Sequence, residues 1–124
     1  MSQSLYREEI LEHWKNSQNW GILSDADFSI EDNNPLCGDN IHLTGKIIKE
    51  KINDIKFTGD GCVISKASAS ILTEYAKDKK ISELKNLKQE DYLSLIEISL
   101  GITRIKCALM PYYALQKGLR SANI

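Results

Sequence analysis

The sequence has no basic block, no CxxC pair and no apolar run near the ~20 residues that cross a bilayer. Each absence removes a class of function. No membrane span is expected. Lys and Arg together number 16 against 17 Asp and Glu, a net charge of −1, so there is no electrostatic footprint for nucleic acid. Without CxxC pairs, a zinc ribbon is not expected. Only two histidines are present, and neither offers a placed base for Cys–His catalysis. The N-terminal stretch MSQSLYREEILEHW is acidic and amphipathic and lacks the apolar core of a signal peptide, which makes the cytoplasm the expected location. Internal repeats and low-complexity segments are also missing.

What is present is an apolar fraction of 42% over 124 residues, enough for one core and one domain over residues 1–124. Three cysteines make an odd number in a chain without a secretion signal. That argues against a disulfide framework. It leaves two readings: thiols kept reduced for metal or sulfur chemistry, or small buried hydrophobes.

Periodicity supplies the plan. Tyr6, Ile10, Leu11 and Trp14 fall at helical spacing. Residues 16–34 are rich in Asn, Asp and Ser and read as a loop pinned by Trp20, Ile22, Leu23 and Phe28. From Asp39, alternation at Ile41, Leu43, Gly45 and Ile47 reads as a strand. Lys49, Glu50 and Lys51 form a charged turn. A returning strand carries Ile52, Ile55 and Phe57, with an irregularity at Asn53 and Asp54. Gly59-Asp60-Gly61 breaks it, and a short third strand fits at residues 62–64. Helices are predicted over 65–77, 81–87, 89–100 and 106–119. The small residues of SKASAS let the first of these approach a neighbour closely. The expected fold is α+β, a small antiparallel sheet of about three strands with helices on one face.

Each cysteine sits at a transition between elements. In an extended chain Cys37 and Asp39 point to the same side and could bind one ion, with Gly38 allowing backbone that a side chain would obstruct. His42 has the opposite parity and is not expected to join them. His13 lies on a charged helix and reads as solvated. Cys62 follows Gly-Asp-Gly and precedes a helix, where backbone N–H groups favour a thiolate. On the last helix Cys107 falls about 120° from the apolar stripe of Ile105, Ala108, Leu109, Tyr112, Leu115 and Leu119, at 100° per residue. Pro111 clashes with a carbonyl four residues back, so this helix is expected to start near Cys107. Three thiols and one carboxylate are a reasonable tetrahedral set for zinc, and thiolates equally suit iron–sulfur clusters.

NPLCGD, FTGDGCVISKASAS and RIKCAL, with YREEILEHWKNSQNWG at the start, resemble the cysteine motifs of the U-type iron–sulfur cluster scaffold family, which includes IscU, SufU and the NifU amino-terminal domain. The resemblance covers nearly the whole chain. It implies a small antiparallel sheet with helices on one side. It also implies a scaffold that takes sulfur from a cysteine desulfurase, assembles a transient 2Fe–2S cluster or holds iron, and delivers the product to acceptor apo-proteins. Zinc is implied for the cluster-free form. Cys37, Asp39, Cys62 and Cys107 carry over as ligands, and Cys107 as the expected sulfur acceptor. The alternative is a zinc-dependent SufU-type relay that activates the desulfurase, a sulfurtransferase role.

Two departures bear on that choice. IscU members carry histidine before the last cysteine, whereas here Lys106 stands there, as in SufU-type proteins. Lys106 could lower the Cys107 thiol pKa, hold Asp39, or simply be solvated. The step of 45 residues from Cys62 to Cys107 matches IscU spacing instead, without the SufU insertion. ITRIK stands where IscU members carry the Leu-Pro-Pro-Val-Lys segment that engages a dedicated Hsp70 chaperone, so the resemblance leaves that partner in doubt.

Overall fold

The computed structural model describes residues 11–34, 38–96 and 102–122. Residues 11–15 are helical (α1). Three strands follow, β1 (Phe28–Asn34), β2 (Asp39–Ile48) and β3 (Lys51–Thr58). They form one antiparallel sheet in the order β1-β2-β3. Four helices complete the described chain: α2 (Val63–Ala76), α3 (Ile81–Lys85), α4 (Gln89–Ile96) and α5 (Ile102–Ser121). The fold is α+β, as the periodicity predicts.

The strand at 28–34 is the main difference from the sequence reading, which assigns that stretch to a loop. Only Phe28 and Ile30 supply apolar alternation there. Asp32 and Asn34 continue the inward parity with polar side chains, and Lys117 on α5 donates to Asp32 Oδ2 at 2.9 Å. An ion pair takes the place of apolar packing, so the pattern is hidden. The strand expected at 62–64 does not form. Cys62 is instead the N-cap of α2.

The predicted irregularity in β3 is present. Lys46 pairs with Asp54 and Ile47 with Ile52, leaving Asn53 as the extra residue of a bulge. The β2–β3 turn puts Lys49 and Glu50 at φ 53° and 65°, the two-residue geometry that matches strand twist. Ile81 N–H donates to the Glu50 carbonyl at 2.8 Å and holds that turn against α3.

Alternation sends Ile41, Leu43, Ile55 and Phe57 to one face of the sheet, where they meet Leu72, Ala108, Leu115 and Leu119. Helix α2 turns Ser65, Ala67, Ser68, Ala69 and Ser70 inward. These small side chains allow the close approach to α5 expected from the sequence. Tyr92 of α4, which the sequence pattern does not single out, is fully buried. It stacks on Tyr112 at 5.3 Å, and its hydroxyl donates to the Ala108 carbonyl. Burial pushes its phenol well above the usual pKa.

Phe28 anchors β1 between β2 and α5. A β-carbon on Gly45 would lie 2.3 Å from the Phe28 ring, and one on Gly118 2.5 Å from it. Glycine is needed at both places for room. Gly45→Ala is therefore expected to destabilise the protein by about 1–3 kcal/mol, the cost of overpacking. Thermal denaturation should show the lower Tm, and Phe28→Leu in the same chain should recover part of the loss. Full additivity of the two changes would contradict the clamp.

Candidate functional site

The start of a strand, the start of a helix and the second turn of another helix meet at one corner of the sheet. Asp39 opens β2, Cys62 caps α2, and Cys107 lies in the second turn of α5. One donor atom from each lies within 4.8 Å of the other two, and among the described residues no other group of three or more His, Cys, Asp or Glu gathers in this way. Cys37 lies outside the described residues.

Asp39 is the buried centre of the group, 2% exposed. The backbone N–H of Cys62 donates to its Oδ1 at 3.1 Å. The other oxygen, Oδ2, faces Cys62 Sγ at 3.7 Å. One oxygen is thus engaged by backbone and the other directed at the thiols. A buried carboxylate without such a donor would be costly. Helix α2 has no acidic residue in its first turn and no side-chain cap from Cys62. Asp39 supplies negative charge beside that N-terminus from a separate strand.

The Gly59-Asp60-Gly61 segment makes this possible. Asn40 N–H donates to the Asp60 carbonyl at 2.8 Å, and Asp60 N–H to Asn40 Oδ1 at 3.2 Å. These bonds press the segment against the start of β2. A β-carbon on Gly61 would fall 2.5 Å from Ser65 Oγ and 2.7 Å from Asp39 Oδ1. The sequence reading takes these glycines only as a breaker. Gly38, beside Asp39, has φ +71°, the left-handed region that glycine reaches freely. Its N–H donates to the Asn34 carbonyl at 2.9 Å, closing the turn between β1 and β2.

The expectation for Cys107 requires correction. The helix already runs from Ile102, and Cys107 is only 3% exposed. Helix α5 packs against α2, α3, α4, β1 and β2 together. Its buried surface therefore extends well beyond the stripe read from periodicity, over 107–111, 114–115 and 118–119. Pro111 stands inside the helix and supplies no amide to the Cys107 carbonyl. Cys62 is by contrast exposed.

The other candidates lie apart. His42 Nε2 is 2.7 Å from Ser29 Oγ on the outer face of the sheet. His13 is not solvated as expected, since its Nδ1 lies 2.7 Å from Ser70 Oγ and its Nε2 3.8 Å from Glu74. Lys106 is exposed, makes no ion pair with Asp39, and borders a wide groove of about 930 Å³ between α5 and the end of β1.

The donor set fits a thiophilic ion. In four-coordinate zinc, bonds of ~2.3 Å to sulfur and ~2.0–2.2 Å to oxygen set ligand atoms roughly 3.5–3.8 Å apart. The Cys62–Asp39 pair has that spacing already, at 3.7 Å. The remaining separations, within 4.8 Å, need a contraction of no more than about 1 Å. Asp39, Cys62 and Cys107 can form a metal site. Gly61→Ala should push Asp39 and Ser65 aside and lower zinc affinity about 10- to 100-fold, the usual effect of disturbing a ligand's support. Competition with a chromogenic chelator measures this, with circular dichroism reporting that the fold is kept. Unchanged affinity would mean that Asp39 does not hold the ion.

No helix among the described residues is long and apolar enough to cross a membrane. Comparison with known proteins agrees with the geometry. The chain is 38% identical over 133 residues to the zinc-dependent sulfurtransferase SufU of Bacillus subtilis, covering 94% of this chain and 90% of that protein. It is 34% identical over 138 residues to the iron–sulfur cluster assembly scaffold protein IscU of Streptococcus pyogenes, covering 96% and 86%. In fold it is similar to the amino-terminal part of a NifU-like protein from Brucella abortus, with a TM-score of 0.79 over 97% of this chain and 95% of the other at 19% identity. The model of the NifU-like N-terminal domain matches residues 5–122, and this chain belongs to that family.

Proposed function

We propose that this protein is an iron–sulfur cluster assembly scaffold. It accepts sulfur from a cysteine desulfurase, holds iron or a 2Fe–2S cluster as cargo through Cys37, Asp39, Cys62 and Cys107, and passes the product to apo-proteins. In the cluster-free form the same residues would hold zinc, which would keep the thiols deprotonated. The observation that carries this reading is the meeting of Asp39, Cys62 and Cys107 within 4.8 Å. Cys37 is added to them from its place in the sequence, one residue before Gly38 and two before Asp39.

The chemistry follows from the donor types. Soft thiolates suit iron bridged by sulfide. The single carboxylate is the hard and exchangeable member of the set. Its Oδ1 stays on the Cys62 amide, so releasing Oδ2 need not unfold the corner. We assign Cys107 as sulfur acceptor. Its thiolate would attack the outer sulfur of the desulfurase persulfide, the S–S bond would break, and the desulfurase thiolate would leave. Sulfur is exchanged with no net oxidation. At 3% exposure, Cys107 must be uncovered when the desulfurase docks.

A second reading is supported by Lys106, which stands where IscU members have histidine, and by the 38% identity to a zinc-dependent sulfurtransferase. In it the protein relays sulfur and never carries a cluster. One experiment separates the two. Protein purified without oxygen is mixed with ferrous iron, cysteine, a thiol reductant and the desulfurase of the same genome. The scaffold reading predicts a visible chromophore that transfers to an apo-ferredoxin and is lost in Cys62→Ala. Acceleration of the desulfurase by zinc-loaded protein, with no chromophore, supports the relay. Neither response would exclude both. Under the scaffold reading Asp39→Ala should slow transfer of an assembled cluster to the apo-ferredoxin, and faster transfer would contradict the role given to that carboxylate.

A further inference from the structure

We propose that Trp20 and Ile22, with Lys56 and Lys66 beside them, form a docking surface for the desulfurase that delivers sulfur to Cys62 and Cys107. The matching face of that partner would carry an apolar pocket bordered by carboxylates. The inference rests on the function proposed above and names where its partner binds.

Trp20 is 46% exposed and Ile22 56%. Single exposed apolar residues are ordinary on protein surfaces. These two are close in sequence and held in place. Residues 19–21 run along the free edge of β3, where Phe57 N–H donates to the Asn19 carbonyl at 3.0 Å and Gly21 N–H to the Phe57 carbonyl at 2.9 Å. The Trp20 ring meets Phe57 edge to face at 5.4 Å. A tryptophan fixed in this way loses little freedom on binding, which is the property of a hot-spot anchor.

Two lysines flank the patch. Lys66 Nζ lies 4.9 Å from the centre of the Trp20 ring, and the Lys56 stem passes beneath Gly21. Neither lysine forms an ion pair among the described residues. Two unpaired ammonium groups around an exposed indole favour a partner that brings carboxylates, through steering and through rim contacts.

Position links this patch to the chemistry. Lys66 is one helical turn from Cys62, its N–H donating to the Cys62 carbonyl at 3.2 Å. A helical turn of 5.4 Å and an extended lysine place the indole roughly 15 Å from the exposed thiol. A standard interface covers ~800 Å² per partner, a disc about 16 Å in radius. A protein centred on Cys62 with an interface of ordinary size therefore reaches Trp20.

The test uses the full chain in a Trp14→Phe background, so that Trp20 is the fluorescent reporter, and titrates it with the desulfurase of the same genome. Binding should change the Trp20 emission. Lys66→Glu and Lys56→Glu should each weaken binding about tenfold and flatten its dependence on salt, and the Trp20→Ala chain, followed by calorimetry, should weaken it at least tenfold. Zinc content should stay as in the parent in all three variants and melting temperature in the two lysine variants, and Lys88→Glu, an exposed change between α3 and α4, should bind as the parent does. If the parent binds and activates the desulfurase while the Lys66, Lys56 and Trp20 variants bind within twofold of it, the docking surface is wrong and the proposed function stands. If the parent neither binds nor activates, the function itself fails and the docking surface with it.

Discussion

The contact between the Asp39 carboxylate and the Cys62 amide joins the two parts of the chain on which the site depends. One belongs to a strand and the other to a helix 23 residues later. At 3.1 Å the bond satisfies a buried oxygen and a backbone donor together, and leaves the second oxygen turned toward sulfur. Losing it would leave an anion 2% exposed without that donor. Gly61 is the condition for it, because any side chain there would overlap the same oxygen. The neighbouring bonds between Asn40 and Asp60 keep the two segments in register.

Behind this corner the packing fixes the third ligand. Helix α5 is pressed on by β1, β2 and three other helices. Tyr92 bonds to the carbonyl of Ala108, the residue after Cys107. Cys107 is thereby set by the core, whereas Cys62 stands at an exposed helix start. The two thiols differ in access: one is open to an incoming protein, and the other is held in depth. A site that must take up and later release its cargo combines a fixed wall with an open side, and the arrangement here has both.

Much of this was legible in the residues. Alternation at Ile41, Leu43 and Ile47, and again at Ile55 and Phe57, marks two strands, and the irregularity expected near Asn53 and Asp54 is the bulge at Asn53. The inward parity shared by Asp39, Ile41 and Leu43 placed the carboxylate at the end of the core face. Strand β1 was not legible, because Asp32 and Asn34 occupy inward positions and Lys117, 85 residues on, supplies the partner of Asp32. The depth of Cys107 was hidden for a similar reason. A helical wheel describes one stripe, but α5 is covered from several directions, and periodicity in one element cannot count its neighbours. The role of Gly61 as a gap for Asp39 likewise depends on a strand distant in sequence.

The most direct measurement is X-ray absorption at the metal edge of the zinc-loaded protein. The account predicts a four-coordinate ion with three sulfurs at ~2.3 Å and one oxygen at ~2.0–2.2 Å. A shell of nitrogen and oxygen alone would contradict it, since the ion would then sit somewhere other than the corner built by Asp39, Cys62 and Cys107.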